Sequence, residues 1–159
     1  MPERDGGVSR IVAGVDGSPA ALAALRWAVW QAALTGASVD AVIAWQYPMV
    51  TSGYAWAPVA MLEPADYGEI AEKIVTDAIS SVVDPGGHVH ARAVVQQGPA
   101  AQVLIDAAAG ADMLVVGSRG HGGFAGALLG SVSQHCVHHA PCPVAVIRAG
   151  LDRAGKSGA

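Results

Sequence analysis

The chain has 159 residues, of which 52% are hydrophobic and 14% are charged, a composition typical of one globular domain and not of a disordered chain. A formal net charge of −4 at pH 7 provides no basic surface for nucleic acid, no apolar run approaches the length of a membrane span, and the polar first ten residues are not typical of a signal peptide. Two cysteines are too few for a disulfide framework, which favours a cytoplasmic location. From the charge and the apolar runs we expect neither nucleic acid nor a membrane as a partner.

Five short segments rich in β-branched residues predict strands. In chain order they are residues 11–15, 39–45, 89–95, 113–116 and 144–147. Most of them are continuously apolar, as expected for strands that helices cover on both faces. The third contains His88-Val-His-Ala-Arg-Ala-Val94, which alternates polar and apolar residues, so we expect this strand at an edge of the sheet.

Four helices are predicted between the strands. The first covers residues 20–34, with Ser18 as its N-cap, Pro19 at its first position and Gly36 where a C-cap glycine belongs. The others cover residues 66–82, 99–109 and 131–139.

The second helix has a clear amphipathic pattern. The residues that predict its buried face are Tyr67, Ile70, Ile74, Ala78 and Val82. Glu69 and Lys73 have the i, i+4 spacing of an ion pair, which we expect on the exposed face.

The alternation of strands and helices predicts an α/β fold, with an open parallel sheet and helices on both of its faces, as in Rossmann-like proteins. We expect a single domain over residues 1–148, followed by a flexible tail over residues 149–159. Residues 46–64 form a long proline-containing connection, and connections of that length are usually functional or mobile segments.

The segment that follows the fourth strand is the main candidate for a site, because ligands of open α/β sheets bind beyond the carboxyl ends of the strands. Gly117 and Gly120 would permit positive φ and close backbone approach, and Gly130 precedes a helix whose first amides favour an anion. Further polar groups come from Arg119, Ser131 and Ser133. These features predict a phosphate site, and the alternative is a flexible loop before an ordinary helix cap.

The spacing G-2x-G-9x-G-[ST], formed by Gly117, Gly120, Gly130 and Ser131, resembles the ATP-binding signature of the universal stress protein family. The resemblance extends over about residues 9–148 and includes residues 10–18, Ala44-Trp45 and residues 142–147. It implies an open five-stranded parallel sheet in the strand order 3-2-1-4-5, the adenine nucleotide alpha hydrolase-like fold, with ATP as the ligand.

The resemblance also implies a role for each residue of the site. The nucleoside would lie beside Gly14, Val15, Asp16 and the backbone of Ala44. Ribose and phosphates would contact Gly117, Arg119 and Gly120, and the phosphate chain would be bound by Gly130, Ser131, Val132 and Ser133. Mg²⁺ would accompany the triphosphate, held mainly by phosphate oxygens and water. Asp16 would bind the ribose hydroxyls or reach the metal, although its place before Ser18 also fits an Asx turn or a helix cap.

A second phosphate-binding pattern lies at the end of the sequence. Residues 150–157 match the P-loop pattern G-x-x-x-x-G-K-[ST], which requires a helix immediately after it. Because the sequence ends at Ala159, we expect no nucleotide contact there. Trp56, in the long connection, is a candidate cover for the adenine ring.

The last helix carries a possible metal cluster. His135, His138 and His139 are spaced to share one helix face, and Cys142 follows closely. The C-x₅-C spacing of the two cysteines does not match a zinc site, however, and polar residues are common at helix carboxyl ends, so we expect no metal there.

The predicted function is that of a cytoplasmic, ATP-binding regulatory or stress-response protein with little or no ATP turnover. Arg119 is the one cation that the motif brings to the phosphates, and the motif offers no carboxylate or glutamine to position water. The alternatives are a slow ATPase or an adenylyl- or phosphoryl-transferring enzyme on the same scaffold, and a domain similar to electron-transfer flavoproteins.

We also expect a homodimer formed through the last strand, Val144–Ile147. This strand is apolar on both faces and lies at a sheet edge in the family's strand order. An uncovered apolar edge invites pairing, and a two-fold-related copy would close it in the antiparallel sense.

Overall fold

The computed structural model describes residues 9–47, 64–120 and 129–150. Strands and helices alternate along these residues. The strands are β1 (Arg10–Gly14), β2 (Ser38–Trp45), β3 (Ala91–Gln97), β4 (Met113–Gly117) and β5 (Val144–Ile147). The helices are α1 (Pro19–Thr35), α2 (Pro64–Val82), α3 (Ala100–Ala107) and α4 (Ser131–His139). Three predicted features lie outside the described residues: Trp56 with most of the long connection, the P-loop-like pattern, and nearly all of the predicted tail.

The described strands form one parallel sheet in the order β3-β2-β1-β4-β5, which confirms the predicted fold and strand order. The chain passes outward from β1 to β2 and β3 on one side, and through α3 to β4 and β5 on the other. The strand order therefore reverses between β1 and β4, and a crevice opens between their carboxyl ends.

Two apolar cores cover the two faces of the sheet. Helices α1 and α2 pack on one face, where Leu25 and Val75 meet β1 and β2 residues such as Ile11 and Val39. Helices α3 and α4 pack on the other face around Leu114. The predicted edge position of β3 is confirmed, and the strand has no fully buried residue, which agrees with that position.

The predicted ends of α1 are confirmed by its capping bonds. The Ser18 side chain accepts a hydrogen bond from the amide of Ala21 at 3.2 Å, and Pro19 begins the helix. Gly36 ends it in the left-handed conformation at φ +72°, and its amide donates to the carbonyl of Ala32 at 2.9 Å. A residue with a Cβ would be strained at that φ, which explains the glycine.

The predicted face of α2 is wrong at one position. Ile70 is 49% exposed, whereas Ala71 and Val75 are buried against the sheet. Ala71 and Val75 lie on the helix face that packs on the sheet core, and Ile70 lies outside that face. Lys73 pairs with Asp77 at 2.9 Å instead of with Glu69, again at i, i+4 spacing on the exposed face.

Strand β3 begins and ends two residues later than predicted. Its register with β2 extends to Gln96 and Gln97, which pair with Ala44 and Trp45. Because Gln96 and Gln97 are polar, the sequence pattern ended the predicted strand before them. Polar residues are tolerated at this position because one side of an edge strand faces water.

Candidate functional site

A cavity of about 320 Å³ opens at the carboxyl ends of β1 and β4, on the face of the sheet that α3 and α4 cover. Every residue predicted for the site lines this cavity. These residues are Gly14, Val15, Asp16, Ala44, Gly117, Arg119, Gly120, Gly130, Ser131, Val132 and Ser133. A cavity of this size is at the lower end of the range for small-molecule sites.

The remaining described lining residues are apolar and were not predicted. They are Ala21, Val42, Ala100, Leu104, Val116 and Leu129. Side-chain alternation could have identified Val42, because it lies two residues before Ala44 on the same face of β2. No motif connects the site to Ala100 and Leu104, which reach it from α3. The cavity thus combines an apolar wall with a polar rim, an arrangement suited to a flat aromatic ligand with a charged end.

Gly117 is required because two backbones meet there. A Cβ at this position would lie 2.7 Å from the carbonyl carbon of Ala20 and 2.8 Å from the amide nitrogen of Ala21. The predicted positive φ is wrong for both Gly117 and Gly120, since neither lies in the left-handed region. Gly117 instead allows the first turn of α1 to approach the end of β4.

The carboxylate of Asp16 is shared between a turn and the cavity. Its Oδ1 accepts a hydrogen bond from the amide of Ser18 at 2.8 Å, which forms the Asx turn that the sequence left open. Its Oδ2 faces Gly120, where a Cβ would lie 2.5 Å from it. Asp16 is exposed at the cavity rim, so the turn orients the carboxylate without burying it.

Helix α4 begins at the cavity, and the residues of its first turn line it. Gly130 occupies the N-cap position and provides no side-chain cap for Ser131, Val132 and Ser133, whose amides have no acceptor within the helix. The partial positive charge of this helix end attracts anions. Arg119 and Asp16 are the charged side chains among the described lining residues, and their formal charges cancel.

The Ser133 hydroxyl is hydrogen-bonded within the protein. Ser133 is 3% exposed, and its Oγ donates to the carbonyl oxygens of Ser118, at 3.1 Å, and Gly130, at 3.0 Å. The sequence suggested that this hydroxyl would donate to a phosphate, but its single proton is occupied by these carbonyls. The hydroxyl of Ser131, by contrast, belongs to an exposed residue.

The histidines of α4 lie away from this site. The rings of His135 and His139 are 4.5 Å apart, and both residues are exposed. Across the described residues, no group of three or more His, Cys, Asp or Glu side chains is arranged to hold a metal ion. Cys136 lies on the buried face of this helix, and burial raises the pKa of its thiol to about 11.

No helix within the described part of the chain is both long and apolar enough to cross a bilayer.

Several solved structures share this fold. The universal stress protein UspA of Lactobacillus plantarum matches with a TM-score of 0.63 at 24% identity, over 91% of this chain and all of that chain. A universal stress protein in complex with cAMP matches at 0.63 and 23% identity, over 89% of this chain and 98% of that chain. A family member from Arabidopsis thaliana with AMP bound matches at 0.54 and 20% identity, over 94% and 97%.

Sequence comparison finds nearer relatives. The chain is 33% identical over 151 residues to the universal stress protein Rv2624c of Mycobacterium tuberculosis, covering 90% of this chain and 49% of the relative. It is 38% identical over 143 residues to a universal stress protein of Mycolicibacterium smegmatis, covering 86% and 47%. The chain thus spans about half the length of these relatives. The model of the universal stress protein family matches residues 7–148, and the chain therefore belongs to that family.

Proposed function

We propose that this protein binds ATP, accompanied by Mg²⁺, in the cavity between β1, β4 and the start of α4. One observation carries the proposal: every residue of the motif-based prediction lines the same cavity, although these residues come from three strands, two loops and a helix. Related proteins are described in complex with cAMP and with AMP, which supports an adenine nucleotide as the class of ligand.

The two ends of the cavity suit the two ends of a nucleotide. The adenine ring would lie along the apolar wall of Val42, Leu104 and Val116, beside the backbone of Ala44. The phosphates would accept hydrogen bonds from the first amides of α4 and meet the charge of Arg119. This orientation places the charged end of the ligand at the positive end of a helix dipole.

Asp16 is the carboxylate that could serve a magnesium ion. Mg²⁺ is usually held by one or two carboxylates together with phosphate oxygens and water, and Asp16 is the one acidic residue among the described lining residues. The same carboxylate is also within the part of the cavity where a ribose would lie. Bound Mg²⁺ would neutralise phosphate charge that Arg119 alone does not balance.

We further propose a regulatory role in the cytoplasm, as a stress-response protein, with little or no turnover of ATP. Hydrolysis requires a group that orients the attacking water and further positive charge at the γ-phosphate. The described lining residues offer Arg119 and an Asp16 carboxylate already engaged in a turn. A phosphate-release assay with saturating ATP and Mg²⁺ tests this role, and a rate near the enzyme median of about 10 s⁻¹ would favour the enzymatic alternative.

The test of ATP binding compares two substitutions of one glycine. Gly130 has a φ of −71°, and a Cβ there would lie 3.5 Å from its nearest neighbours, so Gly130→Ala fits without strain. Gly130→Asp adds a negative charge at the phosphate position. We expect calorimetry to show at least about a tenfold loss of ATP affinity for the aspartate variant, and a change within about threefold for the alanine variant. Normal binding by the aspartate variant would place the phosphates elsewhere.

The homodimer predicted through β5 is also part of the proposal. β5 lies at the edge of the sheet opposite β3, and its four residues Val-Ala-Val-Ile carry no charge, whereas β3 carries Arg92 and two glutamines. Charged and polar side chains protect an edge from pairing, so β5 is the edge suited to a second copy. Light scattering at micromolar concentration should give the mass of a dimer, and a monomer would contradict this proposal.

A further inference from the structure

The carbonyl of Ser118 connects the end of β4 to the start of α4. It accepts a hydrogen bond from the amide of Gly130 at 2.6 Å and a second from the hydroxyl of Ser133 at 3.1 Å. Ser118 is itself buried, and its amide donates to the carbonyl of Ile147, the last residue of β5, at 2.8 Å. The acceptor therefore has a position fixed by the sheet.

These two bonds determine where the first turn of α4 lies. Residues 119–129 separate Ser118 from Gly130 in sequence, and bringing these two residues together costs conformational entropy that contacts between them must offset. The Gly130 bond holds the N-cap, and the Ser133 bond holds the third residue of the helix. Together they fix both the position and the direction of the helix end.

We propose that Ser133 is a positioning residue for phosphate binding. Its hydroxyl holds the first turn of α4 against β4, so that the amides of Ser131 and Val132 are in place before the ligand arrives. It acts through the Ser118 carbonyl and does not touch the nucleotide. This inference rests on the proposed function, because it concerns the phosphate end of the same cavity.

A direct contact with phosphate is the competing role for Ser133. The one hydroxyl proton of Ser133 is already shared between the carbonyl oxygens of Ser118 and Gly130, so it is not available to a phosphate while these bonds hold. If the Ser133 hydroxyl only contacted phosphate, removing it would leave the unliganded protein unchanged. A positioning residue would loosen the helix end even without ligand, and this difference separates the two roles.

The experiment compares Ser133→Ala with Ser133→Thr, which retains the hydroxyl. Calorimetry with ATP and with adenosine measures the phosphate-bearing and the phosphate-free ligand, and amide hydrogen exchange measures Gly130 in the unliganded protein. For Ser133→Ala we expect about a fivefold loss of ATP affinity, the usual effect of losing one neutral hydrogen bond. Adenosine affinity should stay within about twofold and Gly130 exchange should be faster, because only the phosphate end is displaced. Ser133→Thr should restore wild-type values.

Three results would overturn the inference while the proposed function stands: unchanged ATP affinity in Ser133→Ala, an equal loss for ATP and adenosine, or unchanged Gly130 exchange despite a loss for ATP. The last would make Ser133 a direct ligand. If the wild-type protein binds neither ATP nor adenosine, the proposed function fails and this inference fails with it.

Discussion

Polar groups at the amino end of the sheet form hydrogen bonds and ion pairs with one another, whereas polar groups at the carboxyl end line a cavity. At the amino end, Asp40 lies on β2 with its side chain only 8% exposed, between the guanidinium groups of Arg10 and Arg92. Arg92 donates through two nitrogens, at 3.1 and 2.9 Å, and Arg10 donates at 3.1 Å. Arg10 also donates to the carbonyl oxygens of Ala107 and Ala109, which ties α3 to the sheet.

At the carboxyl end, polar groups instead line a cavity. The amides of the first turn of α4 have no acceptor within the helix and belong to residues that line the cavity, and Gly117 allows α1 to pack closely beside it. Under the proposed function, the amino end serves stability and the carboxyl end serves binding. Substitutions at the two ends should therefore separate these two properties.

The largest expected effect is on stability, from Asp40→Ala. The substitution removes three charge-assisted hydrogen bonds and leaves Arg10 partly buried with an unbalanced charge. We expect a loss of about 3 kcal/mol in the free energy of unfolding, measured by denaturant titration. ATP affinity, measured at a temperature where the variant is folded, should stay within about twofold.

The matched control for Asp40 is Asp77→Ala. Asp77 also forms an ion pair, with Lys73, but both side chains are exposed on α2. Removing such a pair should leave the unfolding free energy nearly unchanged, because solvent screens the two charges. Equal effects of the two substitutions would show that the amino-end network contributes no more than a surface pair does.

The next largest effect should appear in both stability and ATP affinity, because Gly117 lines the cavity and also packs against the backbone of α1. In Gly117→Ala the new Cβ overlaps the backbone of Ala20 and Ala21, which cannot move without displacing α1. We expect a loss of about 2 kcal/mol in stability, together with a loss of ATP affinity of about tenfold or more. Gly130→Ala, another motif glycine with room for a Cβ, should change neither by a comparable amount. If the two variants behave alike, close packing is not the reason for Gly117.

The motif residues line one cavity, but the sequence pattern did not explain why each of them is needed. Spacing identified Gly117 and Gly130, but only the structure shows that one is required for packing and the other has space around it. A local sequence pattern contains only the order of residues within one segment and no information on contacts between segments. The contact between Gly117 and the start of α1 joins segments about a hundred residues apart, and no local pattern contains it.

The same limit applies to the amino end. The second strand appeared apolar in sequence, and Asp40 within it attracted no prediction. Its partners Arg10 and Arg92 lie 30 and 52 residues away, and they meet it only because the strand order places β2 between β1 and β3. Fold class and strand order were predictable because alternation and a family motif specify them. Ion pairs between strands depend on register, which the sequence patterns did not determine.

The smallest expected effect concerns Ser131, the first residue of α4. Every variant keeps its backbone amide at the start of the helix, so Ser131→Ala removes only the side-chain hydroxyl of this exposed lining residue. We expect ATP affinity to fall about threefold, since water can replace the hydrogen bond of an exposed hydroxyl to a phosphate and the helix amides remain. Stability should not change, because Gly130 and not Ser131 is the N-cap. Ser131→Thr keeps the hydroxyl and should bind ATP as the wild type does. A loss above about tenfold in calorimetry would mean that the side chain, and not the backbone of α4, provides most of the phosphate binding.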